Sequence, residues 1–300
     1  MLGRSRLKER VPLEWRHRLR RLNRFRWAAK YRALRSFGIS PRSEPGVAAR
    51  FIFLDPELDN FTYELANEHD LPAFVAGITG SSPIEAAAHM FELRTDPVLR
   101  AELDRQTRRR LDIKRRPEYG HRLAWYALAR WLKPGLIVET GVQDGLGSIT
   151  LLRALERNSD EGAPGRLMSF DLLPGSGWLV SDRFRANWEL VIGSTFDTLP
   201  GALAGHSVGM IFHDSLDSYD CEQFEFDVAM KHADDRLILL SNRAAVGGLR
   251  DLARVHGLPY SEFHEQPLHF YPGTPQAVAL YERPQQSGHA RTASGSSSAS

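Results

Sequence analysis

The segment GLIVETGVQDGLGSITLLRAL, residues 135–155, has the residue types of a ligand-binding loop. An apolar run ends in the acid Glu139, glycines follow at Gly141, Gly145 and Gly147, and an apolar helical spacing begins after them. This order predicts a strand, a tight loop and the start of a helix. Glycines allow the backbone to approach a ligand closely, and a helix N-terminus favours an anionic group. The segment therefore predicts a small-molecule site at the end of a strand.

Two well-known nucleotide loops fit this segment poorly. The phosphate loop of ATP- and GTP-binding proteins requires G-x-x-x-x-G-K-[ST], and no lysine follows these glycines. The dinucleotide loop requires G-x-G-x-x-G, but Val142 and Gln143 follow Gly141, so the second glycine is missing. That motif also places an acid about twenty residues on, whereas Asp171 lies thirty residues after Gly141. An NAD(P)-dependent oxidoreductase is therefore an alternative and not the first interpretation.

Acidic and imidazole side chains follow the fourth predicted strand, VGMIFHDS, and have the chemistry of a general base. Strand alternation places His213 and Asp214 on opposite faces of the sheet. Asp214 stands at the strand tip and is the first choice for a polar catalytic role, with Asp217 and His213 as substitutes for the base. The structural alternative is that Asp217 and Asp220 cap the helix that follows.

From Tyr119 onward the chain alternates between predicted strands and helices. The first five predicted strands are LIVET, RLMSFDLL, WELVIG, VGMIFHDS and RLILLSN. Such alternation predicts an α/β fold with a mostly parallel sheet covered by helices on both faces. The segments YSEFHEQ and QAVALYER are expected to close the sheet as an antiparallel pair. The binding crevice is then expected at the carboxyl ends of the strands, where the strand order reverses.

Four of these segments in order resemble the motifs of class I S-adenosylmethionine-dependent methyltransferases. They are the E-x-G-x-x-x-G pattern from Glu139, Asp171 at the end of the second strand, ELVIGSTFDTLP, and VGMIFHDSLDSYD. Residues 119–283 resemble the bacterial enzymes of the methyltransferase family 24-like group. The resemblance implies a Rossmann-like, doubly wound, mostly parallel sheet of seven strands with an antiparallel C-terminal hairpin. It also implies S-adenosyl-L-methionine as the cofactor.

The resemblance implies roles for individual residues as well. Glu139 is expected to accept from the ammonium group of the cofactor, and Asp171 from both ribose hydroxyls. Ser194 is expected near the adenine. Where relatives often carry histidine after the aspartate of the fourth strand, this chain has Asp217. The implied cofactor-binding residues are Glu139, Gly141, Gly145, Gly147, Ser148, Asp171, Ser194 and Asp214.

The predicted function is methyl transfer to a small-molecule acceptor, with the hydroxyl oxygen of a sugar, glycolipid or natural product as the expected atom. No metal is predicted, because Asp214 and Asn242 offer only two oxygen ligands. A methyltransferase fold that serves as a binding module without catalysis is the second alternative. Weaker candidates to line the site are Arg122, Trp125, Tyr126, His269, Tyr271 and Gly273.

The first 50 residues of the chain are strongly basic, whereas the remainder is acidic overall. These carry fifteen Lys or Arg and three Asp or Glu, a net of +12, whereas the remainder carries 24 basic and 34 acidic residues, a net of −10. Steps of three and four predict a helix with one apolar stripe and many arginines around it. This helix is expected to pack on its own domain or on a second subunit of a homodimer, or to contact an anionic membrane surface. Nucleic acid is a weaker alternative. The stripe comprises Val11, Trp15, Leu19, Leu22, Phe25 and Ala29.

The sequence divides into four expected regions. Residues 1–50 form the basic helical extension, 51–118 a helical lid over the acceptor, 119–283 the methyltransferase domain, and 284–300 a disordered tail. The lone Cys221 excludes an intrachain disulfide, and no apolar run is long enough to span a membrane. We therefore expect a cytoplasmic protein, with a peripheral membrane contact as the alternative.

Overall fold

The computed structural model describes residues 64–108, 117–268 and 274–284. The predicted basic helix, the candidates His269, Tyr271 and Gly273, and the tail beyond residue 284 lie outside these ranges. The four-region division and the membrane contact of the basic helix therefore stay predictions. None of the described helices has the length and apolar character that a bilayer crossing needs.

A seven-stranded sheet forms the centre of the chain, in the order β3-β2-β1-β4-β5-β7-β6. Strands β1 to β5 are parallel, and β7 runs antiparallel to both β5 and β6. The predicted fold class, including the antiparallel C-terminal hairpin, is confirmed. The strands are β1 (Leu136–Thr140), β2 (Arg166–Asp171), β3 (Trp188–Ile192), β4 (Val208–His213), β5 (Ala233–Ser241), β6 (Tyr260–His264) and β7 (Pro275–Glu282).

The strand order reverses between β1 and β4. From β1 the chain moves outward to β2 and β3 and then returns across the sheet to β4 on the other side of β1. In-register pairing joins Thr140 to Phe170 on one side and to His213 on the other. Three carboxyl strand ends therefore meet at one level, and this crevice is where parallel sheets bind ligands.

Eight α-helices are described, and they cover both faces of the sheet. Alternating side chains of each central strand enter two separate apolar cores, because successive residues of a strand point to opposite faces. The helices are α1 (Leu71–Thr79), α2 (Pro83–Arg94), α3 (Pro97–Thr107), α4 (Arg122–Leu132), α5 (Leu146–Asp160), α6 (Thr195–Ala202), α7 (Tyr219–Lys231) and α8 (Gly248–His256).

Helices α1 to α3 share one apolar core with α4, α5 and the sheet. The Ser82 hydroxyl and the Glu85 carboxylate form a capping box that begins α2, as the SSPIE sequence predicts. Asp96 begins α3 by accepting from the backbone N–H groups of Val98 and Leu99, and it also binds Arg153 of α5. The predicted lid region is therefore packed against the methyltransferase region through its described helices.

The apolar spacing of AVGGLRDLARVHG, residues 245–257, predicts a helix, but that helix is broken near its start. A 3₁₀ turn spans Ala244–Val246, and α8 begins only at Gly248. Gly247 between them has φ +91°, a left-handed conformation that interrupts helical geometry. The paired glycines thus separate two elements where the apolar spacing alone predicts one.

Candidate active site

The tips of β1 and β4 touch at the point where the strand order reverses. The Asp214 N–H donates to the Thr140 carbonyl at 2.9 Å, and the Gly141 N–H donates to the Phe170 carbonyl at 2.8 Å. Gly141 has φ +83°, and a Cβ added to it would lie 2.1 Å from the Asp214 carbonyl oxygen. A side chain at this position would overlap the backbone of β4, so only glycine fits.

The other two predicted glycines also stand at close approaches. Gly145 has φ +88°, and a Cβ there would lie 2.8 Å from the Cα of Gly177 in the loop after β2. A Cβ on Gly147 would lie 2.9 Å from Oε1 of Glu139. The glycine loop is therefore a cradle of bare backbone at the N-terminus of α5, with a carboxylate at its floor.

Glu139 is buried at the end of β1. Its Oε2 accepts from the Ser148 hydroxyl at 2.6 Å and from the Ser169 hydroxyl at 2.7 Å, while Oε1 lies on the Gly147 side. Burial raises the pKa of Glu139 to about 7, although both serine hydroxyls act in the opposite direction, and the charge of Asp214 raises it further. A cation that enters the cradle would therefore stabilise the charged form of this carboxylate.

Asp171 closes β2, as predicted, and its carboxylate holds the glycine loop. Its Oδ2 accepts from the N–H groups of Val142 and Gln143 at 3.0 and 3.1 Å, and Oδ1 accepts from the Leu173 N–H at 2.9 Å. A carboxylate has about four acceptor sites. Three are thus engaged with backbone, which ties the shape of the loop to this strand end.

Asp214 lies at the tip of β4, and the amide side chains of Asn242 and Gln276 hold its carboxylate in place. Its Oδ1 accepts from the Asn242 side-chain amide at 2.6 Å, and the Asn242 Oδ1 in turn accepts from the Gln276 amide. Burial raises the pKa of Asp214 to about 6, while the bond to Asn242 and the charge of Arg122 lower it. The Asn242 oxygen thus faces an amide donor, a poor arrangement for a metal ligand. No group of three His, Cys, Asp or Glu suited to a metal occurs in the described ranges.

A cavity lies between these groups and the start of α4. Two side chains of α4 close it: the Arg122 guanidinium stands 5.3 Å from the Trp125 ring, and that ring packs on Phe212 with 3.9 Å between centroids. The remaining space is about 20 Å³, room for about one water. The lining residues are Arg122, Trp125, Glu139, Gly141, Val142, Gln143, Asp144, Gly145, Leu146, Gly147, Phe212 and Asp214.

His213, a predicted substitute base, lies on the opposite face of the sheet from this cavity. Its Nδ1 is 2.6 Å from the Glu225 carboxylate of α7, and both side chains are buried. Burial lowers the pKa of His213, but the bond to Glu225 outweighs it and the net shift is upward. Glu225 also accepts from Thr140 and Ser215, so it ties the tips of β1 and β4 together. This buried pair therefore supports the tips of β1 and β4 from the face of the sheet opposite the cavity.

Three other predicted residues lie away from the cavity wall. Asp217 is half exposed and pairs with Arg243 at 3.0 Å, which joins the loops after β4 and β5. Ser194 is the residue before α6, and its side chain makes no capping bond there. Ser148 is buried beneath the loop as a donor to Glu139. Tyr126, a weaker candidate, donates to Glu92 on the far side of α4.

Several residues that shape the site carry weak sequence signals or none. Arg122 and Trp125 are named from sequence only as weak candidates. Gln276 and Ser169 lie within strands whose sequences are mostly apolar. Their hydrogen-bond partners at the site are distant in the sequence. The sequence offered one indication that Glu225 has a structural partner. It lies on the apolar face of α7, where a charged residue is rarely unpaired.

The fold and this site together define a class of protein. A parallel sheet carries an acid before a glycine loop at β1, a second acid at the end of β2, and a third at the tip of β4. These are the features of class I S-adenosylmethionine-dependent methyltransferases on which the sequence resemblance rests.

The comparison with protein families confirms that class. Residues 138–242 match the model of methyltransferase family 24, described as a methyltransferase domain. The match runs from within β1 to the end of β5 and so contains the glycine loop and the three acids at the strand ends, whereas Arg122 and Trp125 lie before it and Gln276 after it. The predicted enzyme class, an S-adenosylmethionine-dependent methyltransferase, and its cofactor are therefore confirmed. A search of curated proteins returned no match.

Solved structures with a similar fold include several methyltransferases. The O-methyltransferase TomG of Streptomyces achromogenes, in complex with S-adenosylmethionine, is 18% identical over 66% of this chain and 96% of that one, with a TM-score of 0.46. The O-methyltransferase of Bacillus cereus, in complex with S-adenosylhomocysteine, is 15% identical over 65% and 97%, with a TM-score of 0.44. The TDP-rhamnose 3'-O-methyltransferase of calicheamicin biosynthesis is 17% identical over 74% and 97%, with a TM-score of 0.42.

Proposed function

We propose that this chain transfers the methyl group of S-adenosylmethionine to a hydroxyl oxygen of a small-molecule acceptor. The observation that carries the proposal is the cradle at the touching tips of β1 and β4, where Gly141 leaves no room for a side chain beside Asp214. The acceptor class is a sugar, a lipid-linked sugar or a natural-product hydroxyl. The membrane contact of residues 1–50 stays a separate prediction.

The charges around the cradle match those of the cofactor. S-adenosylmethionine, when bound, supplies a methyl group on a sulfonium, next to an ammonium and a carboxylate. The Glu139 carboxylate is placed to accept from the ammonium, and the buried Arg122 of α4 is placed to bind the carboxylate. Asp171 keeps one acceptor site for a ribose hydroxyl. The ammonium and the carboxylate of the cofactor therefore each have a side chain of opposite charge in the lining.

Two exposed leucines offer apolar surface for the purine. Leu172 follows Asp171 at the end of β2, and Leu216 follows the tip of β4, with 54% and 59% of their surfaces exposed. A single exposed leucine needs no explanation. Here both stand at the strand ends beside the cradle, where we place the flat face of the adenine.

Asp214 is the residue we assign to the acceptor hydroxyl. It lines the cavity at the tip of β4, and its pKa of about 6 permits it to take a proton near neutral pH. Asn242 holds one of its oxygens, which leaves the other for the acceptor. Alignment of the hydroxyl with the methyl group supplies the larger share of the rate, about 7–11 kcal/mol in well-oriented systems.

Calorimetry separates the proposed function from its rivals. The full chain is expected to bind S-adenosylmethionine and S-adenosylhomocysteine, and to give no heat with NAD. Methyl transfer is then followed with labelled cofactor over a panel of sugar, glycolipid and phenolic acceptors. Binding of NAD alone would establish the oxidoreductase, and cofactor binding without turnover on any acceptor would favour a binding module.

Substitution of Arg122 tests the placement of the cofactor carboxylate. The Arg122→Met variant is expected to bind S-adenosylhomocysteine about 10- to 100-fold more weakly, because a hydrogen-bonded charge pair contributes about 1.5–3 kcal/mol. Methylthioadenosine lacks the amino-acid part, so its affinity is expected to stay within about threefold of the wild-type value. Equal losses of affinity for both ligands would show that Arg122 contributes to the shape of the pocket but does not bind the carboxylate.

A further inference from the structure

Helix α2 presents an apolar face that the described residues leave exposed. Ile84 and Phe91 are 81% and 65% exposed, and Ala87 and Ala88 between them are exposed as well. Positions i, i+3, i+4 and i+7 lie on one side of a helix, so these four side chains form one stripe. The opposite side of α2 packs into the core through Ala86, Met90 and Leu93.

This stripe differs from the other exposed apolar side chains. Leu172, Ile192, Phe196, Leu216 and Tyr219 surround the carboxyl ends of the strands, where the proposed cofactor site lies. Val255 on α8 stands 74% exposed by itself, which is ordinary for a surface residue. The α2 stripe is instead a continuous apolar row over two turns that includes no residue of the cavity lining, and such a row is typical of a docking surface.

The N-terminal segment of the same chain has the matching pattern. Its apolar residues, spaced by three and four from Val11 to Ala29, are predicted to form one helical stripe with arginines beside it. Residues 1–50 carry a net charge of +12. Residues 64–108, which contain α2, carry eight acidic and four basic residues, a net of −4. The apolar stripe of this segment therefore has an exposed apolar surface of the same chain to meet.

The point where the described chain begins favours this segment over a separate molecule. Glu68, four residues after the first described residue, pairs with Arg94 at the end of α2. The described chain thus begins beside α2, and a linker of the length of residues 30–63 spans at most roughly 110 Å. A tether of this kind gives an effective concentration in the millimolar range.

We propose that residues 11–29 pack their apolar stripe on the Ile84–Phe91 face of α2, with their arginines directed outward. The proposal is independent of the methyl-transfer proposal, since none of these residues lines the cofactor cavity.

Hydrogen exchange measured on the full chain tests this docking. Amides of residues 11–29 are expected to be protected in the wild type and to exchange at least about tenfold faster in Phe91→Glu and Ile84→Glu, a loss of about 1.4 kcal/mol or more. Val255→Glu is the matched control, because it adds the same charge at an equally exposed apolar position, and it is expected to leave the protection unchanged. The reciprocal variant Trp15→Glu is expected to reproduce the loss.

Three results would overturn the proposal. The first is exchange of residues 11–29 at unprotected rates in the wild type. The second is protection that grows with protein concentration together with a dimer in sedimentation, which would make the α2 face an interface between copies. The third is protection that arises only when vesicles of anionic lipid are added, which would assign the stripe to a membrane surface. Thermal unfolding of each variant confirms that the fold is kept.

Discussion

The Gly141→Ala variant is expected to bind S-adenosylhomocysteine at least about 100-fold more weakly and to lose about 3 kcal/mol of unfolding free energy. The added Cβ would lie 2.1 Å from the Asp214 carbonyl oxygen, and the residue has φ +83°. Both strand tips must therefore separate, which distorts the cradle on one side and the Asp214 side chain on the other. Calorimetry with S-adenosylhomocysteine and denaturant unfolding measure the two losses.

Gly80 supplies the matched control for this substitution. It has φ +69° at the end of α1, and nothing lies within 4 Å of a Cβ added there. Gly80→Ala thus carries the conformational strain without the overlap, and we expect it to cost about 1 kcal/mol while cofactor affinity stays unchanged. Wild-type affinity in Gly141→Ala would mean that the cofactor does not bind at these strand tips.

Substitution of Glu139 by glutamine is expected to move stability and cofactor affinity in opposite directions. Burial raises the pKa of Glu139 from 4.5 to about 7, so ionisation of this carboxyl disfavours the folded state. The stability of the wild type therefore falls as pH rises from about 4.5 to about 7, and the loss is complete above that range. At pH 8 the Glu139→Gln variant is expected to be more stable by up to about 3 kcal/mol, since one pKa unit corresponds to about 1.4 kcal/mol.

The same substitution removes the partner of the cofactor ammonium. S-adenosylhomocysteine is expected to bind Glu139→Gln about 10- to 100-fold more weakly at pH 8. In the wild type, affinity is expected to fall by up to about tenfold for each pH unit below 7, because the ligand must displace a proton from Glu139. In the variant this dependence is expected to weaken, and the part that remains below about pH 7 is expected to follow Asp214, whose pKa is about 6.

Glu189→Gln is the control for both measurements. Glu189 is about half exposed on β3 and pairs with Arg166 at the surface, so its substitution is expected to change stability by less than about 0.5 kcal/mol. Thermal and denaturant unfolding at pH 5 and pH 8 give the stability, and calorimetry over the same range gives the affinity. A Glu139→Gln variant that is less stable at pH 8 would show that the charged carboxylate holds the strand end together.

The sequence by itself determined the framework of this protein. Period-two and period-3.6 apolar patterns are local properties, so they were enough to predict the central strands, the helices between them and the antiparallel pair at the end. Glycine spacing and the acids at three strand ends were also enough to predict that a glycine loop and three carboxylates meet at the strand tips, because backbone conformation is set within a few residues. One local error remained at Gly247, where a left-handed residue interrupts a helical spacing.

Only the tertiary structure decided which distant side chains surround the cradle. Glu139 takes its hydrogen bonds from Ser148 and Ser169, and Asp214 is fixed by Asn242 across the β4–β5 boundary. Alternation in a strand assigned His213 to the face opposite Asp214, but the Glu225 carboxylate that binds it comes from a separate helix. Two side chains become partners when packing of the sheet and helices brings their polar atoms within about 3 Å of each other. The spacing of residues in the sequence does not determine that distance. The pKa of a buried carboxyl depends on the same packing, since desolvation acts only when the chain has closed around it.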